Sequence, residues 1–450
     1  MNSICISEYG VLFIKSAKIT ESLEKRKISK TAWDWLLKEA TGTKEHKPLV
    51  RPIKRDGYAG LQVLNYVGVI TTPCDWQIEI VPKIDKYSSG GSNQEREAEQ
   101  SRAKLMKMLS SVGIIKPREF NNASLKLFNK PFPDMLIKLF LDDVNQLIKR
   151  GIRNDYVPIQ EETTYLKGRL NIAAQIRQPV DRRYLFQIEH DEFLPNRAEN
   201  RLIHSTLLKV SKITQDISNK RLASELLFVF NDIPKSTNYK IDFSRWINND
   251  RSIVHYRPVK PWCDLILNDK TPFSLAGEHH GLSFLFPMHD LFEKYVAIIL
   301  RKQLNDQYLL EEQVASEYIV EKHVVKKNVV EQFFNLKPDL LIKSIEGNIN
   351  KVVLDCKWKL ITTDKESYGI KSADIYQLYV YGQKYLSGKG DVFLIYPENA
   401  KFEKPLPVFK FDDNLRLWVI PFSWENDEEG DRLIFPKDIK GEFLHQIDKP

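Results

Sequence analysis

Two aspartates and a lysine carry the clearest chemistry in this 450-residue chain. In the segment NLKPDLLIKSIEGNINKVVLDCKWKLI, Asp339 precedes one apolar run, and Asp355 and Lys357 close a second. The polar turn Glu346, Gly347, Asn348 between the runs predicts a β-hairpin. If Asp339 faces Asp355 across an antiparallel pair, the midpoint is Gly347, so register and turn chemistry agree. Strand side chains alternate, so Asp355 and Lys357 share a face, and Asp339 comes within reach of it. Three charges converging in apolar strands are costly unless neutralised, and a divalent cation held by two carboxylates neutralises them. The expected metal ligands are Asp339, Asp355 and the backbone carbonyl of Cys356. They would hold Mg²⁺, or alternatively Mn²⁺, and leave positions for water and a phosphodiester oxygen. Lys357 would orient or deprotonate the attacking water and stabilise charge on a phosphorane-like transition state. A D-x-K triplet alone is common in strands. Asp339 on its own strand, with the turn at the matching midpoint, makes this a PD-(D/E)xK pattern whose expected reaction is hydrolytic phosphodiester cleavage.

Two helices must flank that hairpin. In SADIYQLYVYGQKYL, Ser372 can cap the helix. Gln377 and Tyr381 fall four apart on one face, where they can contact phosphate or position Lys357. In MHDLFEKYVAIILRKQL, Glu293 shares a face with Ala297 and Leu300, an apolar flank on which a carboxylate needs a partner. It is an additional candidate metal or water ligand, the alternative being a surface glutamate favoured by the helix dipole. His289 and Asp290 read as N-terminal helix residues. Glu278, His279 and His280 resemble a metal cluster but lack a third ligand spacing. Lys322, His323, Lys326 and Lys327 read as a solvated basic strand edge.

The rest of the chain supplies the scaffold. With 42% hydrophobic and 11% aromatic residues it can form substantial cores, and it reads as an α/β protein, α+β overall. Residues 1–159 form an expected β-rich N-terminal domain from GVLFIKSAKI, QVLNYVGVI and QIEIVPKI, with a polar loop over 86–102 and then helices. Residues 160–282 read as a mixed, largely helical middle region. Residues 283–450 read as a nuclease domain with a mixed sheet flanked by helices. No GxxxxGK[ST] occurs, so no nucleotide is expected to bind this chain itself. Four scattered cysteines without a CxxC pair indicate neither a disulfide framework nor a zinc knuckle. The N-terminus lacks the order of a secretory signal and no apolar run reaches transmembrane length, so the expected location is the cytoplasm, away from membrane. A net charge of +7 suits a polyanionic partner such as DNA.

The ordered set FPMHDLFEKYV, KPD at Asp339, DCK from Asp355 to Lys357 and DIYQLYVY resembles the McrC family, the nuclease subunit of McrBC-type modification-dependent restriction systems. Upstream, YVGVI with IEIVPKI, YLKGRLN and NRAENRLI are similar to that family's pattern. The resemblance implies a C-terminal PD-(D/E)xK endonuclease fold. It also implies an N-terminal part that docks onto a hexameric GTP-hydrolysing AAA+ ring, McrB, and stimulates its hydrolysis. Recognition of methylated cytosine would belong largely to that partner, leaving this chain mainly phosphate contacts. The alternatives are a RecB-like or repair nuclease that needs no GTPase, and an inactive bridging subunit.

Overall fold

The structure is a computed structural model and describes residues 2–42, 48–74, 76–83, 94–113, 132–246, 251–267, 284–326, 329–424, 430–436 and 439. The chain divides into two compact units. One holds Val69–Gln77 and Lys116–Phe284; the other joins Asn2–Gly68 and Ile78–Ile115 to Leu285–Pro450.

The N-terminal segment contributes β1 (Asn2–Ser7), β2 (Val11–Ile14), β3 (Lys25–Ile28), α1 (Lys30–Glu39), β4 (Val50–Arg55), β5 (Tyr58–Val63), β6 (Tyr66–Thr71), β7 (Trp76–Val81) and α2 (Gln94–Ser111). Ser29 caps α1 by accepting the Ala32 N–H. Strands β3, β2, β5 and β4 form one sheet in that order, and β1, β7 and β6 lie side by side in another. Both β6 and β7 are buried along their whole length, as expected of strands covered on two faces. Of the polar stretch 86–102 read as a loop, residues 94–102 are instead the first turns of α2, and 86–93 lie outside the described residues. The physical reason is tertiary. Arg102 donates from Nε and Nη2 to both carboxylate oxygens of Glu79, at 2.5 and 2.7 Å, and so satisfies a carboxylate that β7 buries.

The next elements are α3 (Phe132–Arg150), β8 (Asp155–Thr163), β9 (Arg169–Leu170), α4 (Ile172–Arg177), β10 (Phe186–Leu194), α5 (Ala198–Ile213), α6 (Ile217–Val229), α7 (Tyr239–Arg245) and α8 (Val259–Leu267). Gly151, with φ +96°, ends α3 where its sequence offers a stop. The antiparallel pairs β8–β10 and β10–β9 form a small three-stranded sheet. The helices pack through buried faces such as Leu202, Ile203, Leu207 and Val210 of α5. Glu278, His279, His280 and Ser283 lie outside the described residues.

The C-terminal segment begins with β11 (Phe284–Pro287), which pairs with β6, and α9 (Met288–Gln303). There follow β12 (Tyr308–Glu312), β13 (Glu317–Lys326), β14 (Val329–Leu336), β15 (Leu340–Ser344), β16 (Ile349–Cys356), α10 (Ser372–Tyr385), β17 (Gly390–Pro397), β18 (Phe409–Lys410), β19 (Leu415–Ser423) and β20 (Arg432–Leu433). A mixed sheet runs β12-β15-β16-β17-β19-β18, with β20 on β19. Its β16–β17 and β17–β19 pairs are parallel, and the others are antiparallel. Parallel pairing needs a crossover, and α10 supplies the first one. Lys322, His323 and Lys326 lie on β13, in the two-stranded β13–β14 ribbon, and Lys327 lies outside the described residues. Ser372 is the first helical residue of α10 and not its cap: Lys371 occupies that position without a side-chain bond. The molecule is a mixed α/β protein with several mixed sheets. No helix among the described residues is long and apolar enough to cross a membrane.

The Arg102–Glu79 pair yields a test of α2. Arg102→Ala leaves a buried carboxylate without its partner and is expected to cost roughly 3–5 kcal/mol. Chemical denaturation of the variant and the parent measures it, and a cost under about 1 kcal/mol, typical of an exposed pair, would show that α2 does not depend on this pairing.

Candidate active site

The hairpin β15–β16 is built from Leu340, Leu341 and Ile342 facing Leu354, Val353 and Val352, all buried. Leu340 pairs with Leu354, so Asp339 and Asp355 come side by side at the end away from the turn. A register shift of one residue between Ile342 and Lys343 is taken up next to the turn, where Gly347 has φ +77° and Asn348 φ +49°. The register therefore holds where the charges are. Asp339 Oδ2 accepts the backbone N–H of Cys356 at 2.8 Å, which ties the two strand ends together.

Asp355 is 1% exposed. Its Oδ1 is buried with no hydrogen-bond partner, and its Oδ2 lies 2.6 Å from Lys357 Nζ in an ion pair. A second hold on Lys357 comes from α10. Lys357 Nζ donates to Gln377 Oε1 at 3.3 Å, Gln377 Nε2 donates to Tyr381 Oη at 2.8 Å, and Tyr381 donates to the Lys337 carbonyl at 3.0 Å. The relay begins and ends on residues flanking the two aspartates. Glu293, on α9, accepts a hydrogen bond from the side chain of Gln313, whose own backbone N–H donates to the Asp339 carbonyl at 2.9 Å. Gln313 has φ +53°, a left-handed conformation unusual for a side chain of its kind and the sort of local strain that collects at functional sites.

The electrostatics follow from this crowding. Burial, then the Asp355 and Glu293 charges, push Asp339 up to about 8 despite its backbone hydrogen bond. Burial likewise raises Asp355, against the pull of Lys357. Burial raises Glu293, with Asp290, Asp355 and Glu312 adding to it against the Gln313 bond. Burial alone would lower Lys357, but Asp355 and Asp339 outweigh it and hold the ammonium above its ordinary range. The cluster thus lacks positive charge. An orphaned carboxylate oxygen beside a second buried carboxylate fits a hard divalent cation. Among the described residues no three His, Cys, Asp or Glu side chains are grouped tightly enough to hold a metal by themselves. The donor set that fits a cation is therefore the two aspartates with a backbone carbonyl.

A cleft of about 570 Å³ opens onto part of this cluster, and the buried Asp355 is not part of its lining. Asp339, Lys357, Glu293 and His289 line it, and so do four side chains that the sequence motifs did not single out: Glu8, Lys359, Lys371 and Asp374. Asp374 had a usable signal, since positions 374, 377 and 381 share a helical face. Glu8 and Gln313 had none, because each reaches the site through a turn.

Residues 61–397 match the family described as McrBC 5-methylcytosine restriction system component. The fold is similar, with a TM-score of 0.68 and 18% identity over 94% of both chains, to a chain of the refined half-complex from the tetradecameric assembly of Thermococcus gammatolerans McrB AAA+ hexamers with bound McrC. A second similar chain belongs to the cryo-EM structure of the Thermococcus gammatolerans McrBC complex, with a TM-score of 0.48 and 19% identity over 67% of this chain and 88% of that one. No curated protein matches.

The raised Asp339 gives a test with a definite sign. An unfolded aspartate ionises near 4, so between about pH 4 and 8 the unfolded chain releases this proton while the folded one keeps it, and stability falls as pH rises through that window. Asp339→Asn can still accept the Cys356 N–H and removes the penalty. In chelator, the variant is expected to melt higher than the parent at pH 8 and equally at pH 4. Added Mg²⁺ is expected to raise the melting temperature of the parent more than that of the variant. A variant that melts lower at pH 8 would contradict the crowding of charge.

Proposed function

The chain belongs to the McrBC 5-methylcytosine restriction system component family, and from that premise we propose that it is a Mg²⁺-dependent DNA endonuclease of the PD-(D/E)xK kind. The observation that carries this reading is the convergence of Asp339, Asp355 and Lys357 at one end of the hairpin, with Asp355 Oδ1 buried and unpartnered.

In this reading Asp339 and Asp355 hold the cation. The Cys356 carbonyl lies beside them, because the N–H and C=O of an extended residue point to the same side and the Cys356 N–H points at Asp339. When bound, the cation supplies Lewis acidity at a phosphoryl oxygen and lowers the pKa of an attacking water. Lys357 stays protonated in its pair with Asp355, which assigns it the role of stabilising phosphorane charge and steering the water, with proton abstraction disfavoured in this state. Gln377 and Tyr381 set the direction of the lysine through their relay. Glu293, fixed by Gln313, faces the same cleft and is suited to bind a water on the cation. Cleavage is then an in-line displacement in which the water oxygen bonds to phosphorus as one P–O ester bond breaks, leaving a phosphomonoester and a hydroxyl that takes up a proton from solvent.

The similar archaeal structure pairs McrC with McrB AAA+ hexamers, and a GTP-hydrolysing ring of that kind is the partner we assign to this chain. Its docking surface is best sought along residues 155–194. There Tyr156, Tyr165, Ile172, Ile176, Tyr184 and Phe193 are all more than half exposed, and the rings of Tyr156 and Phe193 sit 4.9 Å apart. Exposed apolar side chains in that number fit a partner that covers them.

Two measurements test these readings. Plasmid carrying 5-methylcytosine should be cut with Mg²⁺, GTP and the partner ring, and Asp355→Ala should reduce the rate by at least roughly a hundredfold, as loss of a principal electrostatic group does. Unchanged cleavage by the variant sinks the site, and full cleavage without GTP or partner favours a stand-alone nuclease. Exchanging Tyr156 and Phe193 together for serine should lower stimulation of the ring's GTP hydrolysis while leaving the melting temperature in place. Undiminished stimulation moves the docking surface elsewhere.

A further inference from the structure

The turn between β1 and β2 enters the same cleft from the other end of the chain. Gly10 N–H closes it on the Ser7 carbonyl at 2.9 Å, and Glu8 N–H donates to the Val81 carbonyl at 2.9 Å. A Cβ on Gly10 would stand 2.6 Å from Ile6 and 2.7 Å from the Ser7 carbonyl, so the turn accepts no side chain there. Tyr9 occupies the position before Gly10 with φ +58°, where Gly or Asn is the usual residue. A tyrosine held in the left-handed region costs stability, and here its side chain remains 40% exposed and lines the cleft. Its neighbour Glu8 is 1% exposed. Glu8 Oε1 accepts hydrogen bonds from the Trp358 indole N–H and from the Lys83 backbone N–H, the latter at 3.1 Å. Glu8 Oε2 is buried with no hydrogen-bond partner, in a residue that lines the cleft. Trp358 follows Lys357 directly, so the Glu8 side chain is bonded to the indole of the residue next to the candidate catalytic lysine.

We propose that this turn is a nucleotide subsite of the cleft: the Tyr9 ring stacks on a base flanking the phosphodiester that is cut, and Glu8 Oε2 makes one hydrogen bond to that base's edge. An aromatic face accepts any base, whereas a single buried polar atom beside it reads an edge. Lys359 and Lys371 line the cleft with them and supply positive charge for the intervening phosphates. The strained turn is explained on this basis, since relaxing Tyr9 would withdraw the ring from the path of the substrate. The subsite rests on the nuclease reading above and adds to it that residues 8 and 9 help bind the substrate.

The test uses the full chain with Ca²⁺ in place of Mg²⁺, so that oligonucleotide binding is measured without cleavage. Tyr9→Asn suits the left-handed backbone and removes the ring. It is expected to melt no lower than the parent and to bind DNA more weakly by roughly five- to a hundredfold, the range of one base stack. Tyr9→Phe should bind within about twofold of the parent. Replacing single nucleotides by abasic ones should weaken the parent at one position next to the cut, and Tyr9→Asn should lose nothing further there. Equal affinity for parent and Tyr9→Asn, or losses additive at every abasic position, overturns the subsite. If Asp355→Ala meanwhile abolishes cleavage in the complete system, the nuclease reading survives that failure. Cleavage by Asp355→Ala overturns both, and no DNA binding by the parent chain overturns the subsite.

Discussion

Two largely buried carboxylates that share a single lysine at the end of β15 and β16 are the constraint around which the second unit is arranged. Asp355 cannot be solvated where it sits, and Lys357 answers only one of its oxygens. Two acidic groups forced together in an apolar sheet oppose folding unless something positive joins them. The surrounding structure does not relieve that cost; it holds the groups in place. The hairpin core fixes the strand ends, the Cys356 N–H fixes Asp339, α10 fixes the lysine through Gln377 and Tyr381, and the bent backbone at Gln313 fixes Glu293. Retention of an arrangement that weakens the apo fold is what a cation site requires.

Much of this was legible before any coordinates. The midpoint at Gly347 gives the pairing of Leu340 with Leu354 that the hairpin shows, because the polar turn sits halfway between two apolar runs that are buried on both faces. The bulge beside the turn was not legible, and it did no harm, since it falls where the strands carry polar residues. The helical face of Gln377 and Tyr381 was readable from spacing alone, and Asp374 on that face could have been added. The 94–102 stretch was misread because its composition is polar; the helix is specified by Arg102 meeting Glu79, a contact between segments that local propensity cannot see. The partners of the site that come from turns, Glu8 and Gln313, share that difficulty. Their roles depend on φ values above zero and on contacts spanning as many as 350 residues in sequence, from Glu8 to Trp358.

The contributions of the chain ends to one unit also bear on function. Residues 2–68 and 78–115 cluster with 285–450, so the strands that open the chain form part of the same body as the carboxylates. Changes near residue 8 should therefore be felt at the hairpin. The other unit, with its exposed aromatic surface along 155–194, carries none of the candidate catalytic side chains. The proposed function thus assigns substrate chemistry and partner docking to different bodies of one chain, a division that suits cleavage governed by a separate nucleotide-hydrolysing ring.

Manganese can stand in for magnesium at oxygen sites and scatters X-rays anomalously, which makes the cation directly visible. A crystal of the chain grown with Mn²⁺ is expected to show one strong anomalous peak about 2.0–2.2 Å from Asp355 Oδ1, with an Asp339 oxygen and the Cys356 carbonyl completing its protein ligands. No peak at that position, with Asp355 Oδ1 hydrogen-bonded to the protein instead, would contradict a cation site at the end of this hairpin.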